Sequence, residues 1–180
     1  MLGESVSDFS VNVRQWCQST NAKADTVLRD IVMELANDIV MNTPVDTGML
    51  RGSWQVGIGT APAGDIVAND PDGSSTLQAI RNGLSPAKMG DVVYLANNML
   101  YAGMVEFGGW LPPQFTPGMP HKYGRDKVAR VRTTNQGYSN QAPAGMVRVA
   151  IARVSSAFEE VVAKSIAKMP DLNASDLEGL

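Results

Sequence analysis

The chain has 180 residues, which is the length of one domain and excludes two full catalytic domains. Apolar residues make up 44% and charged residues 18% of it, and no apolar run approaches the roughly 18 residues of a membrane span, so the composition excludes a membrane protein. Fifteen Lys and Arg against eighteen Asp and Glu give a net charge of -3, which excludes the strongly basic balance of a dedicated nucleic-acid binder.

The N-terminal part of the chain has a helical pattern. Between residues 7 and 41, apolar residues recur at the spacing of one helical face: Phe9, Val13, Trp16, Val27, Leu28, Ile31, Leu35 and Ile39. This spacing predicts one long helix, or two helices with a break over the polar stretch 18–24 and Asp25 as the cap of the second. Thr43-Pro44 ends the helix, because proline disfavours helical geometry in the residue before it.

A turn and a strand follow this helix. In TPVDTG, Asp46 can bond backbone amides ahead of it, and Gly48 can take a positive φ. Alternating apolar residues then predict a strand over 50–59, with Trp54 in the core. A short strand at 66–69 is its expected hairpin partner.

Three further elements are predicted before the chain becomes irregular. Apolar residues on one side predict a helix over 74–84. DVVYLANN at 91–98 is rich in β-branched and aromatic residues and predicts a central, well-buried strand. YAGMVEFGG at 101–109 predicts a helical turn that stops at Gly108.

Residues 110–141 contain many turn formers and show no sustained period, which predicts a long irregular loop. The loop holds a single acidic residue, Asp126, against five basic ones: Lys122, Arg125, Lys127, Arg130 and Arg132. This basic loop could contact DNA phosphates, but a solvated loop or a contact with an acidic protein surface is favoured, since a charged loop steers protein docking equally well. Trp110 lies in the same loop and is a candidate anchor for a partner.

The last regular element is a predicted helix over 143–169, ended by Pro170. Its apolar face comprises Met146, Val147, Ala150, Ile151, Val154, Phe158, Val161, Val162 and Ile166. The acidic tail 171–180 is expected to be disordered or to order on a neighbour. The elements together predict a single domain over 1–170 with an α+β fold. In this fold a small antiparallel β-sheet packs against a long N-terminal helix and a C-terminal helix. The irregular loop 109–142 precedes the last helix.

The sequence offers few residues for catalysis. It holds one histidine, His121, and one cysteine, Cys17, and its carboxylates lack metal-ligand spacing. We therefore expect no enzyme, no catalytic residues, and no cofactor or metal site. The single cysteine also excludes an intramolecular disulfide, and the N-terminal sequence MLGESVSDFS lacks the features of a secretory signal, so we expect synthesis in a cytoplasm.

Two segments are more specific than the rest. TPVDTGMLRGSW at 43–54, followed by YAGMVEFGG at 101–109, resembles the neck or tail-completion proteins of long-tailed bacteriophages. Those proteins have a similar order of parts: an N-terminal helix, a P-x-D-T-G-x-L-R-x-S segment that enters a strand, a Y-A-x-x-V-E-F-G segment, and a C-terminal helix after a proline-rich loop. The resemblance covers most of residues 25–168.

The resemblance implies a structural virion protein of the neck, which assembles in the host cytoplasm. Such a protein forms a ring with six-fold symmetry between the head-side connector or head-closure protein and the tail terminator or tail tube, with at most a passing contact with genomic DNA. Alternatives are a tail terminator or a head-closure protein in the same assembly, or a DNA-end-binding protein that acts through residues 122–132.

The resemblance also suggests which residues contact neighbouring subunits or partners. We expect the turn residues to fix the chain direction, and Arg51 to project from the polar face of the strand toward Glu106, within one subunit or between two. The candidate interface residues are Asp46, Thr47, Gly48, Arg51, Tyr101, Glu106, Phe107, Gly108, Trp110, Arg125, Arg130 and Arg132.

Overall fold

The computed structural model describes residues 6–64, 68–107 and 142–169; the predicted tail 171–180 and all but the last residue of the predicted loop 109–142 lie outside these ranges. The longest element is helix α1, Val6–Asn42, whose 37 residues run without interruption for about 55 Å. The alternative of a break over 18–24 is therefore wrong. Weak helix formers cost only about 0.5 kcal/mol each, and Asp25, the expected cap, instead accepts a hydrogen bond from the backbone N of Met89 at 2.7 Å.

A single helical turn, α2 at Met49–Gly52, precedes strand β1 at Trp54–Ile58. The prediction of a strand from residue 50 is therefore wrong up to residue 53. Gly48, at φ 88°, turns the chain into α2, and both Leu50 and Gly52 are buried in that turn. Over so few residues, alternating burial fits a helical turn as well as a strand.

Strand β2, Val93–Asn97, pairs antiparallel with β1, with Trp54 opposite Asn97. The prediction of a strand here is confirmed, but its central, well-buried position is wrong: Tyr94 is exposed, the other β2 residues are half-buried, and β1 is the only neighbouring strand in the described part of the chain. Residues 68 and 69 of the other predicted strand belong to no strand, and residues 66 and 67 lie outside the described ranges.

The remaining elements are helices α3 at Ser74–Leu84, α4 at Ala102–Phe107, α5 at Val147–Ser156 and α6 at Phe158–Ala167. The predictions of α3 and α4 are confirmed. The last predicted helix is instead two helices that meet at Ala157. The Ser156 hydroxyl donates to the carbonyl oxygen of Arg153 at 2.7 Å, and such a bond competes with the helical ladder.

Helix α1 packs against α3, α5 and α6, and α3 in turn packs on β1. Trp54 lies in the core as predicted, and the α+β class is confirmed. The core between these elements consists of Ala36, Ile39, Val40, Leu50, Trp54, Ile80, Leu84, Ala87, Ala102, Val105, Ala142, Met146 and Ala150.

Candidate assembly site

The first motif, residues 43–54, closes the C-terminal end of α1. The guanidinium of Arg51 donates to the carbonyl oxygens of Met41 at 3.1 Å, Thr43 at 2.9 Å and Pro71 at 2.6 Å. Carbonyls at a helix C-terminus lack intrahelical partners, and a cation there is favourable. Arg51 therefore fastens α1 to the chain that leads into α3. The expectation that it projects from the polar face of a strand is wrong, because it lies in α2.

Thr43 and Trp54 join the two ends of the same motif. The Thr43 hydroxyl donates to the carbonyl oxygen of Ile39 at 2.8 Å and accepts a hydrogen bond from Nε1 of Trp54 at 2.9 Å. Both side chains are buried, and buried polar groups are stable when they are hydrogen-bonded. This pair orients the indole in the core.

The turn between them depends on the glycine. Gly48 has φ 88°, and a Cβ there would lie 2.6 Å from the backbone N of Pro71. The Thr47 hydroxyl, rather than the predicted Asp46, accepts a long hydrogen bond from the backbone N of Met49, at 3.4 Å. The DTG sequence thus serves a close approach between two backbone segments.

The second motif, residues 101–109, caps the start of helix α5. The Glu106 carboxylate, buried at the end of α4, accepts hydrogen bonds from the backbone N of Met146 at 2.5 Å, Val147 at 2.9 Å and Arg148 at 3.1 Å. Nε of Arg148 adds a salt bridge at 3.1 Å. One carboxylate therefore satisfies the free amides at the start of α5 and meets the positive end of its dipole.

Burial and hydrogen bonding act on Glu106 in opposite directions. Burial, the largest single influence, would raise its pKa, but the hydrogen bonds from Val147, Met146 and Arg148 together outweigh it and hold the pKa below its usual 4.5. The carboxylate is therefore ionised at neutral pH, as a helix cap requires.

We expect the contribution of this cap to stability to be lost in acid. Because the folded pKa lies below the unfolded value of 4.5, the contribution is fully present above the unfolded pKa and is lost as pH falls through the folded one. The difference in unfolding free energy between wild type and Glu106→Gln should be constant from about pH 7 to pH 5 and shrink below that. Urea unfolding across this range measures it, and a difference that grows on acidification would contradict the assignment.

The structure does not bring Arg51 and Glu106 together. Arg51 is bound to backbone carbonyls at the end of α1, and Glu106 to the start of α5. The predicted pair within one subunit is therefore wrong, and a pair between subunits stays a prediction.

The other predicted interface residues differ in how far they are exposed and in whether the structure describes them. Asp46 and Thr47 are exposed, and Asp46 lies close enough to the half-buried Tyr101 that its charge adds to the effect of burial and raises the pKa of the phenol. Phe107 is 65% exposed, with the Arg148 guanidinium 5.4 Å from its ring centroid. The predictions that fall outside the described residues are Gly108, Trp110, Arg125, Arg130 and Arg132.

Two features of the site were not predicted. Gly145, at φ 83°, leaves room for the carboxylate, since a Cβ there would lie 2.7 Å from Oε1 of Glu106; a glycine just before the last helix was the available signal. In addition, three residues assigned to the apolar face of that helix are exposed: Ile151 at 49%, Phe158 at 49% and Ile166 at 55%. Together with Phe107 we call these residues the outer apolar surface.

Within residues 6–64, 68–107 and 142–169, no group of three or more His, Cys, Asp or Glu could hold a metal ion. None of the helices described there has the length and apolar character that crossing a membrane requires.

Comparison with known proteins identifies the family. The HK97-gp10-like family, described as "Bacteriophage HK97-gp10, putative tail-component", matches residues 9–108, which is more than half of the chain. The match includes the first motif, both strands and nearly all of the second motif. Comparison with the curated proteins and with the solved structures gave no match. The chain therefore belongs to the HK97-gp10-like family of bacteriophage tail components, which are parts of the virion.

Proposed function

We propose that this protein is a structural component of the phage neck, where a ring of six copies joins the DNA-filled head to the tail. Membership of a tail-component family supports a place in this assembly. Its neighbours would be the connector or head-closure protein on the head side and the tail terminator or tail tube on the other. A tail terminator or head-closure role is the alternative position. We assign no reaction to it.

One observation carries the proposal: the charged residues of the motifs hold the subunit together, while the four side chains of the outer apolar surface, of which Phe107 alone belongs to a motif, are exposed. Arg51 and Glu106 use their charged groups on backbone atoms of their own chain. The outer apolar surface, in contrast, exposes large side chains of α4, α5 and α6. Contiguous exposed apolar side chains are typical of protein interfaces.

Three of the four residues of the outer apolar surface lie on the C-terminal helices α5 and α6. The guanidinium of Arg148 lies over Phe107, and Ile151 follows Arg148 by less than one helical turn. Phe158 follows Ile151, and Ile166 follows Phe158, each after about two turns of helix. We infer that a different patch of the next copy covers this surface, since head-to-tail contacts of this kind form a ring when the rotation between copies closes.

A rejoining experiment tests both parts of the proposal. A lysate of a phage that lacks this gene should contain separate DNA-filled heads and finished tails, which added wild-type protein joins. The double variant Ile151→Asp/Phe158→Asp should reduce joining strongly, because each apolar anchor of an interface is worth about 2 kcal/mol, or roughly thirtyfold in affinity. Electron microscopy and plaque titre measure the effect.

The control is Met89→Asp, which places the same charge at an exposed apolar residue outside the outer apolar surface. It should join heads to tails as the wild type does. Normal virions in the lysate of the phage that lacks the gene would exclude a role of this protein in joining heads to tails. Full joining by the double variant would exclude only the role of the outer apolar surface in the contact between copies.

The basic loop remains part of the proposal. We expect Arg125, Arg130 and Arg132 to contact an acidic surface of a neck partner, because steering of this kind speeds encounter of the correct partners. Trp110, in the same loop, would anchor that contact.

A further inference from the structure

A cleft of about 760 Å³ lies outside the motifs and the outer apolar surface. Helix α1 lines its centre, and α3 and α6 form its two sides. Its volume falls within the roughly 300–1,000 Å³ of ligand-binding pockets. A cleft this large between three packed helices is a candidate binding site.

Its lining combines apolar side chains with excess positive charge. Met33, Leu77 and Val161 supply half-buried apolar surface, and four basic residues line the cleft against two acidic ones, Asp30 and Glu34. This basic cleft would therefore take an extended segment that carries both leucines and carboxylates.

The four basic residues of the cleft differ in how freely they could pair with the carboxylates of a bound segment. Arg29 is held by the carbonyl oxygens of Ser85 and Ala87, both at 3.1 Å. Arg81 is exposed on α3. Lys164 is exposed on α6 and Lys168 is exposed directly after it. Among the described residues they pair with the exposed Glu160 at 2.7 Å and the half-buried Asp30 at 3.8 Å, respectively. Such surface pairs contribute little, so both lysines can exchange them for a new partner.

The chain itself contains a segment of the matching chemistry. After Met169, the sequence PDLNASDLEGL repeats Asp-Leu at 171–172 and 176–177 and adds Glu178, without a basic residue. Lys168 lines the cleft, so this segment begins at the edge of the cleft. Eleven residues reach up to about 35 Å when extended, more than the roughly 11 Å that residues 161–168 span on α6.

We propose that the basic cleft binds residues 171–178 of its own chain. The leucines contact Met33, Leu77 and Val161, while the carboxylates pair with Arg81 on one side and with Lys164 and Lys168 on the other. Tethering favours this occupant, because a short linker gives a local concentration in the millimolar range. The inference is independent of the ring proposal.

Two measurements on the full chain test it. Hydrogen exchange of residues 171–178 should be at least about tenfold slower than in the free peptide of the same sequence, and Arg81→Glu/Lys168→Glu should remove that protection. Zero-length carbodiimide cross-linking should join Lys164 to Asp176 or Glu178. In a mixture of ¹⁴N- and ¹⁵N-labelled protein, these cross-links should lie within single chains.

Lys88→Glu is the control, since it reverses an exposed charge outside the cleft and should leave the protection unchanged. Urea midpoints that match the wild type show that the variants fold. Exchange as fast as in the free peptide, or protection that survives the double charge reversal, would overturn the proposal. Cross-links between labelled and unlabelled chains would also overturn it and assign the cleft to the segment of a second copy.

Discussion

Replacing Glu106 with alanine should destabilise the protein by about 3 kcal/mol, because breaking a buried ionic pair leaves its partners unsatisfied. Three backbone amides at the start of α5 lose their acceptor, and Arg148 loses its salt bridge. Since Arg148 is partly exposed, water can solvate its guanidinium. The main loss is therefore the cap and the link between α4 and α5.

Equilibrium urea unfolding, followed by circular dichroism, measures this effect. Glu106→Gln keeps an oxygen acceptor without the charge and should cost about 1–2 kcal/mol. The matched control is Glu160→Ala, which removes an exposed carboxylate whose surface pair with Lys164 contributes little to stability. A loss for Glu106→Ala no larger than the loss for Glu160→Ala would show that the buried contacts do not stabilise the fold.

The elements that could be predicted from the sequence are those whose pattern is local. Helix α3 was predicted with its observed bounds, Ser74–Leu84, because its buried residues Ile80 and Leu84 repeat at helical spacing. Trp54 was placed in the core because it lies in an alternating strand. In both cases the residues within a few positions determine which side is buried.

Other features depend on contacts that are distant in the sequence. Glu106 and Arg148 lie 42 residues apart, so the local pattern around Glu106 does not indicate that Arg148 is its partner within the subunit. Periodicity places Ile151, Phe158 and Ile166 on the apolar face of the last predicted helix, but these three side chains are exposed. The basic cleft requires the arrangement of three helices, which local periodicity does not specify.

The polar residues of the two motifs have roles within the subunit. Thr43, Arg51 and Glu106 are polar, and from sequence alone such residues suggest binding. In the fold they satisfy helix ends and a buried indole. Their polar character serves the folding of the subunit, whereas the proposed contact surface comprises Phe107 of the second motif and three residues of α5 and α6.

The largest backbone effect is expected at Gly52, where a Cβ would lie 2.1 Å from the carbonyl oxygen of Ala68. The added Cβ is bonded to the backbone of residue 52, and the oxygen belongs to the backbone of Ala68. Either α2 or the chain at residues 68–70 must therefore move. That chain carries Asp70, whose carboxylate accepts hydrogen bonds from the backbone N of Thr76 at 2.7 Å and from its hydroxyl at 2.6 Å. We expect Gly52→Ala to cost about 3 kcal/mol, the upper range for overpacking a core.

Gly103→Ala is the control for this change. Gly103 lies within α4, and in the described part of the chain no atom other than those of its two neighbours and the backbone of α4 lies within 4 Å of the added Cβ. Alanine in a helix interior is favoured over glycine by about 0.5–1 kcal/mol, so this variant should be as stable as the wild type or more stable. The changes in unfolding free energy that urea unfolding measures for the two variants, relative to the wild type, should therefore have opposite signs or be near zero for Gly103→Ala. Equal unfolding free energies for Gly52→Ala and Gly103→Ala would show that the chain at residues 68–70 can move without loss of stability. The close approach of α2 to this chain would then not require glycine.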